Sequence, residues 1–384
     1  MTTTSDLSML STDEIARYSR HIRLKAVGSS GQETLKHARV LVVGLGGLGS
    51  PVALYLSAAG VGTVGLADFD AVEMHNLQRQ IIHGENNVGR SKLESARNRL
   101  VALNPTLSYP LHSEGINCNN AIEIFQHYDL IVDGTDNFPS RYLINDAAFF
   151  SKKPLIYGSI SQFEGQVTVL HPDAHCPCYR CLFPEIPEPG TVQNCAEAGV
   201  FGALCGVVGS YQAMEALKYL LNLGQMLKGR LMVIDALGAT CRELQIKQDL
   251  DCPLCGQSPK IRSIQPENYS FDCHAANDSN RKPFMETTVH QIDTFEKPVF
   301  LDVREPYELE ICAIDGALHI PLRKISANYH QLPDDQPIIV YCHHGMRSLK
   351  ATEFLHSVGK TNAVSLKGGI DAWAINKDSN MSRY

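Results

Sequence analysis

The sequence predicts an α/β protein: a mostly parallel sheet with helices on both faces, followed by a second, smaller α/β domain. Three observations predict it. Short apolar runs alternate with helix-patterned stretches, and the strand-like ones, "ARVLVVG", "TVGLADFD", "DLIVDGTD", "PLIYGSI" and "GQVTVL", are in several cases apolar throughout, as burial on both faces requires. At 384 residues and 44% hydrophobic, the chain is too long for one ordinary core. The pattern then lapses after Asp251 into "DCPLCGQSPKIRSIQPENYSFDCHAANDSNRKP" and resumes as "PVFLDVRE", "GALHIPL", "PIIVYCHHG" and "NAVSLKGG". The expected organisation is a first domain over 1–255, a linker over 256–283 and a second domain over 284–384.

A formal net charge of −7 gives no electrostatic reason to expect nucleic acid or an anionic membrane as partner. The opening "MTTTSDLSMLSTDEIARY" lacks the basic flank and apolar run of a secretory signal, so a cytoplasmic protein is expected. Residues 51–67 and 199–214 are strongly apolar. The first carries Gly60, Gly62 and Gly65 and is short for a bilayer, and the second runs into Glu215 and Lys218, so both are expected as buried helices. The 12 cysteines, in a compartment that keeps thiols reduced, are expected as metal ligands, catalytic thiols or core filling.

The first element is the glycine loop. In "VLVVGLGGLGSPVALYL", Gly44, Gly46 and Gly49 form G-x-G-x-x-G between a strand and a helix, with Gly47 in the same loop. This is a Rossmann-like arrangement: glycines admit phosphate oxygens to the backbone, and the helix start supplies oriented N–H groups. Asp68 or Asp70, ending the next strand, sits where an acid holds ribose hydroxyls. On these residues alone an NAD-dependent dehydrogenase is the commonest reading. The following residues point instead to a triphosphate. "NLQRQ" supplies Asn76, Arg79 and Gln80, "GRSKLESAR" supplies Lys92, and "DGTDN" ends a strand with Asp133 and Asp136, carboxylates suited to Mg²⁺.

The run "RYSRHIRL…GQETLKHARVLVVGLGGLGSPVALYLSAAGVG…DFDAVEMHNLQRQ…VGRSKLESA…NP…DGTDN" resembles the adenylating domain of the molybdopterin-synthase and thiamine sulfur-carrier adenylyltransferases, relatives of ubiquitin-activating enzymes. The resemblance covers roughly residues 10 to 255. It implies ATP as substrate, Asp68 on the ribose, Asn76, Arg79 and Lys92 on the phosphates, and an essential Asp136 on Mg²⁺. It also implies a homodimer in which Arg20, from "YSRHIRL", reaches the partner's triphosphate.

Next come two C-x-x-C pairs, Cys178 with Cys181 and Cys252 with Cys255. Two such pairs complete a closed tetrahedral site, so structural Zn²⁺ is expected, tying the end of the first domain back to its sheet. Cys176 leaves a competing pairing open, as does a redox role for one pair. Cys195, in "VQNCAEAGVFG", reads by itself as a buried cysteine. Relatives in the resembled family place a reactive cysteine there. Cys118, Cys205, Cys241, Cys273 and Cys312 read as filling or surface.

In the second domain, "IIVYCHHGMRS" runs a buried strand into Cys342, with Arg347 five residues on. A cysteine at the base of a ring of backbone N–H groups, beside an arginine and a helix start, is expected to work as a thiolate. The ring suits either of two anions, a phosphate or the outer sulfur of a persulfide. Only His343, His344, Gly345 and Met346 separate Cys342 from Arg347, a smaller ring than a Cys-dependent phosphatase closes, and this favours sulfur. The tail "FLDVREPYELEICAIDGALHIPL…YCHHGMRS…LKGGIDAW" resembles a rhodanese, a sulfurtransferase domain. Asp302 and Arg304 of "DVRE" are read as a salt-bridged loop, and Trp373 as core.

Together the resemblances imply ATP-dependent adenylation of the C-terminal glycine of a ubiquitin-like sulfur-carrier protein. Sulfur transfer from a Cys342 persulfide, itself loaded by a cysteine desulfurase or thiosulfate, would then give a thiocarboxylate. The expected catalytic residues are Cys342, Cys195, Asp136, Arg79 and Arg347. The alternative is a ubiquitin-type activator that forms a thioester at Cys195, with the second domain as a docking module.

Overall fold

A computed structural model describes residues 10–171, 176–187, 199–269 and 285–384. The described residues divide into two compact units, the first up to residue 269 and the second over 285–384.

The first unit is built on an eight-stranded sheet of order β3-β2-β1-β4-β5-β6-β7-β8. Its strands are β1 Arg39–Val43, β2 Thr63–Ala67, β3 Leu111–His112, β4 Leu130–Asp133, β5 Leu155–Ser161, β6 Glu164–Leu170, β7 Arg230–Asp235 and β8 Thr240–Gln245. Pairings from β3 through β5 are parallel, and those from β5 through β8 antiparallel. The switch has a local cause. Only Gln162 and Phe163 separate β5 from β6, too few for a crossover, and Gln162 takes a left-handed φ of 51° in the turn.

Alternate residues of β1 enter different cores, which explains its unbroken apolar sequence. Val40 and Val42 pack with the helices Gly49–Ala59 and Gly202–Leu221, while Leu41 and Val43 pack with Ala121–Gln126 and Phe138–Phe150. Of the two apolar stretches, 199–214 lies largely in the helix Gly202–Leu221. The other, 51–67, is not one helix: it ends at Ala59 with Gly60 as a left-handed cap (φ 86°) and continues as β2. Among the described residues, no helix is long and apolar enough to cross a membrane.

The second unit has a five-stranded parallel sheet of order β11-β10-β12-β13-β9, comprising β9 Glu286–Thr287, β10 Val299–Asp302, β11 Leu318–His319, β12 Ile338–Tyr341 and β13 Ala363–Leu366. The central β12 again divides its residues between two cores, Ile338 and Val340 on one face, Ile339 and Tyr341 on the other. Trp373 packs edge-on to Phe300 beside the second of these cores, with ring centroids 5.2 Å apart. Within the stretch expected as linker, Ile264 and the buried Tyr269 pack on the first unit, where the Tyr269 hydroxyl donates to Asp146 Oδ2 at 3.0 Å.

Candidate active sites: a nucleotide cleft, a four-cysteine cluster and a thiol loop

The glycine loop forms where β1 ends. Gly44 adopts φ 85°, and a Cβ on Gly49 would lie 1.8 Å from the Gly44 carbonyl oxygen, so only glycine permits this strand-to-helix turn. Protein atoms leave room at Gly46, where the nearest neighbour of a Cβ would be Gln80 Nε2 at 3.7 Å. Lacking a side chain there, the loop leaves open the cleft it lines. That cleft encloses about 890 Å³ counting its open mouth, and its walls include Gly47, Asp68, Asp70, Arg79, Gln80, Lys92 and Asp136.

The charged residues are held by specific bonds. Asp68 accepts from Leu45 N–H at 2.7 Å and from Asp70 N–H at 2.9 Å, which ties the acid to the glycine loop. Lys92, itself buried, pairs with Asp70 at 2.8 Å. Arg79 Nη1 donates to the His75 carbonyl at 3.2 Å. Gln80 is buried, and its Oε1 has no hydrogen-bond partner among the described residues. His83 supports the loop from beneath. Its Nε2 lies 3.0 Å from the Leu45 carbonyl, which can only accept, so Nε2 carries the proton and Nδ1 accepts from Ser95 at 2.9 Å. Burial holds this histidine's pKa below its ordinary value.

The two acids of "DGTDN" separate sharply. Asp133 is 1% exposed and does not line the cleft; its Oδ1 accepts from Thr135 N–H at 2.9 Å and Thr135 Oγ1 at 2.7 Å, and burial pushes its pKa up. The expectation that Asp133 helps to hold Mg²⁺ is therefore corrected: as the last residue of a buried strand, its side chain shapes the loop. Asp136 is exposed on the cleft wall. Asn76 is not among the lining residues either. Its Oδ1 accepts from Glu73 N–H at 3.1 Å and caps the 3₁₀ turn Met74–Asn76. Arg20 lies exposed on the helix Ser19–Ile22 and likewise does not line the cleft.

Arg141, Ser140 and Asn137 line the cleft without having been singled out from the sequence. They belong to the start of the helix Phe138–Phe150, where Asn137 caps by accepting from Ser140 N–H at 3.0 Å, and Arg141 Nη2 donates to Thr135 O at 3.3 Å. The signal was present: a cap residue and Pro139 directly after "DGTD" announce a second helix N-terminus at the sheet's carboxyl edge.

The four cysteines of the two C-x-x-C pairs converge, with all four sulfurs within 4.8 Å of one another. The sulfurs lie 3.8 Å apart for Cys178 and Cys181, 3.6 Å for Cys178 and Cys252, 3.3 Å for Cys181 and Cys255 and 3.5 Å for Cys255 and Cys178. A tetrahedron with Zn–S bonds of about 2.3 Å has edges of about 3.8 Å, so the donor set fits a thiolate-bound zinc and no bond of disulfide length joins any pair. Asp249 N–H and Cys255 N–H donate to Cys181 Sγ at 3.4 Å and Cys252 Sγ at 3.5 Å, which favours thiolates. Cys176 is not part of this cluster. Cys195 lies outside the described residues, as does Cys273.

Cys342 follows β12 directly and is buried. Gly345 N–H donates to its Sγ at 3.1 Å, and the helix Met346–Ser357 begins one residue later. Gly345 takes φ 104°, and a Cβ on Gly369 would lie 2.3 Å from the Cys342 carbonyl oxygen, so glycines shape the loop from both sides. Arg347 is engaged by Glu308 in a bidentate pair of 2.6 and 2.7 Å, its charge answered by a carboxylate held below its usual pKa against the cost of burial. Arg304 is buried with Asp302 in the expected salt-bridged loop, at 2.6 Å. His343 is stacked between His344 and Tyr384, and burial lowers its pKa to about 4.

A glycine-lined cleft at the carboxyl edge of a doubly wound sheet, with a thiol loop carried in the same chain, is the arrangement of a nucleotide-binding class of α/β enzyme that also carries a candidate reactive thiol. The ThiF family model matches residues 18–254, and the rhodanese-like domain model residues 287–376. The chain belongs to the ThiF family and carries a C-terminal rhodanese-like domain. It is 44% identical over 388 residues to the probable adenylyltransferase/sulfurtransferase MoeZ of Mycobacterium tuberculosis, covering 98% of this chain and 97% of the relative. It is 38% identical over 400 residues to the adenylyltransferase and sulfurtransferase MOCS3 of Culex quinquefasciatus, covering 98% and 91%. Among solved structures it shares its fold with E. coli MccB bound to selenomethionine MccA, with a TM-score of 0.56 and 21% identity over 64% of this chain and 75% of that one. The protein is an adenylyltransferase and sulfurtransferase, and family membership implies use of ATP.

Proposed function

We propose that the first unit, over 1–255, adenylates the C-terminal glycine carboxylate of a ubiquitin-like sulfur-carrier protein, and that the second, over 284–384, supplies sulfur from a persulfide on Cys342. The observation that carries this reading is that an open phosphate-accepting cleft and a glycine-shaped thiol loop occur in one chain. The carrier carboxylate attacks the α-phosphorus of ATP, forming acyl-adenylate and releasing pyrophosphate. Backbone N–H groups of the glycine loop, Arg79, Lys92 and Gln80 hold the phosphates, and Asp68 holds the ribose. Arg20 is assigned to the cleft of a second copy in a homodimer. Asp136, on the cleft wall, would hold Mg²⁺, which when bound would offset phosphate charge. One carboxylate acting with substrate phosphates is a normal way to hold that ion.

The outer sulfur of the Cys342 persulfide then displaces AMP, giving an acyl disulfide. Attack by the Cys195 thiolate on the Cys342 sulfur releases the thiocarboxylate and leaves a Cys195–Cys342 disulfide, which a cellular thiol reduces. Zn²⁺ on Cys178, Cys181, Cys252 and Cys255 serves structure. The persulfide is loaded by a cysteine desulfurase or thiosulfate, and the protein works in the cytoplasm. Mass spectrometry of a carrier incubated with ATP, sulfur donor and enzyme tests the reading. Thiocarboxylate is expected with the wild type and none with Cys342→Ala; undiminished thiocarboxylate from that variant overturns it.

A further inference from the structure

The thiol loop of the second unit is braced by a residue far from it in sequence. The Tyr384 ring lies flat on the His343 imidazole, with centroids 4.1 Å apart and planes 4° apart. Its hydroxyl donates to Glu308 Oε1 at 3.0 Å and accepts from Arg304 Nη1 at 2.8 Å. Glu308 is the carboxylate that grips Arg347, in the first turn of the helix behind Cys342, and Arg304 is the cation locked to Asp302. The neighbouring Arg383 holds Asp371 at 2.7 Å, and Asp371 N–H donates to the His343 carbonyl at 3.2 Å.

Two adjacent residues thus fix both sides of His343, the residue next to the thiol. Tyr384 fixes the ring by stacking, and Arg383 fixes the backbone through Asp371. The Tyr384 phenol has one proton, and the geometry spends it on Glu308 while Arg304 fills a lone pair, so the hydroxyl orients the acid that orients Arg347. Nothing else among the described residues hydrogen-bonds Glu308 and stacks on His343 at once.

We infer that Tyr384 is a positioning residue for sulfur transfer, holding the Cys342 loop in its reactive shape through His343 on one side and the Glu308–Arg347 pair on the other. The inference rests on the assignment of the transferred sulfur to Cys342. In the half-reactions that test it, the Cys342 thiolate takes the outer sulfur of thiosulfate and releases sulfite. Cyanide then takes that sulfur from the persulfide as thiocyanate and returns the thiolate, so no external oxidant or reductant is needed.

The full chain is loaded with thiosulfate and freed of excess, its cyanide-labile sulfur per chain is counted, and its discharge by cyanide is followed in a single turnover. Because the rate is expressed per loaded sulfur, a fraction of unfolded protein cancels. Tyr384→Ala is expected to discharge roughly ten- to a hundredfold more slowly per loaded sulfur, the upper end being the cost of misplacing a reacting group by about 1 Å. Tyr384→Phe, which keeps the ring but not the two hydroxyl bonds, is expected between it and the wild type. An unchanged rate per loaded sulfur in Tyr384→Ala, even with fewer sites loaded, makes the residue merely structural and overturns the inference. If Tyr384→Ala does not fold, an unchanged rate in Tyr384→Phe overturns it alone. Cys342→Ala separates the two levels: labile sulfur still loaded by that variant defeats the assignment to Cys342, not the bracing.

Discussion

The two units handle charge to different degrees. Around the nucleotide cleft some groups are bonded internally, Lys92 to Asp70 and Asp68 to the glycine loop, while others are left available: Asp136 is exposed on the wall, Arg79 is only half-buried, and Gln80 presents a buried oxygen that no described residue satisfies. Around Cys342 each charge is answered internally, Arg304 by Asp302, Arg347 by Glu308, and Glu308 again by Tyr384. A site for a large polyanion must keep its partners unspent until the ligand arrives. A site for a single sulfur atom gains from fixing its shape in advance, at the cost of burying charges that then depend on one another.

The sharpest way to break this contrast is a double dissociation. Asp136→Ala is expected to lower carrier-dependent ATP/pyrophosphate exchange by roughly 10²-fold or more while leaving thiosulfate:cyanide sulfur transfer intact, and Cys342→Ala to do the reverse. If either variant depresses both activities equally, the units are not chemically separate. Next in size is the metal. Purified protein is expected to carry zinc by elemental analysis, and Cys252→Ser to lose it together with several kcal/mol (~) of first-unit stability in denaturant titration. A metal-free native protein would contradict the cluster's role.

Glu308→Ala then tests dependence within the thiol unit. Removing one partner of a buried pair leaves Arg347 uncompensated, for a loss of about 3–5 kcal/mol read from urea unfolding of that unit. A loss below 1 kcal/mol (~) would show that solvent reaches the pair easily. The smallest effect concerns pH. His343 has a folded pKa of about 4 against an ordinary value of 6.5, so the unfolded chain binds the proton first. Its contribution is complete above pH 6.5 and is lost as pH falls towards 4, on the order of 1–3 kcal/mol. His343→Gln should flatten that slope in melting curves taken across the window.

Much of this was legible in the sequence because it was local. The glycine loop, the spacing within each C-x-x-C pair, and the short interval between Cys342 and Arg347 each place chemistry within a few residues, and the structure brings the four cysteines together. What escaped depended on distance along the chain. Asp133 and Asp136 look alike in "DGTDN", yet one ends a buried strand and the other follows it, and only tertiary packing separates them. Glu308 lies 39 residues before Arg347, and nothing in "REPYELE" announces its partner. The antiparallel half of the first sheet was carried by a two-residue turn inside an apolar pattern that reads the same in either direction.

The four-cysteine cluster has a mechanical consequence. It clamps the chain at Cys252 and Cys255 to a point 74 residues earlier, just beyond the exposed edge strand β8, and Tyr269 adds a second fastening to Asp146 farther on. A pull arriving from the C-terminal direction is borne by Tyr269 and the thiolates before it reaches the hydrogen bonds of β8. The two fastenings therefore guard the antiparallel edge of the first sheet against peeling from that side.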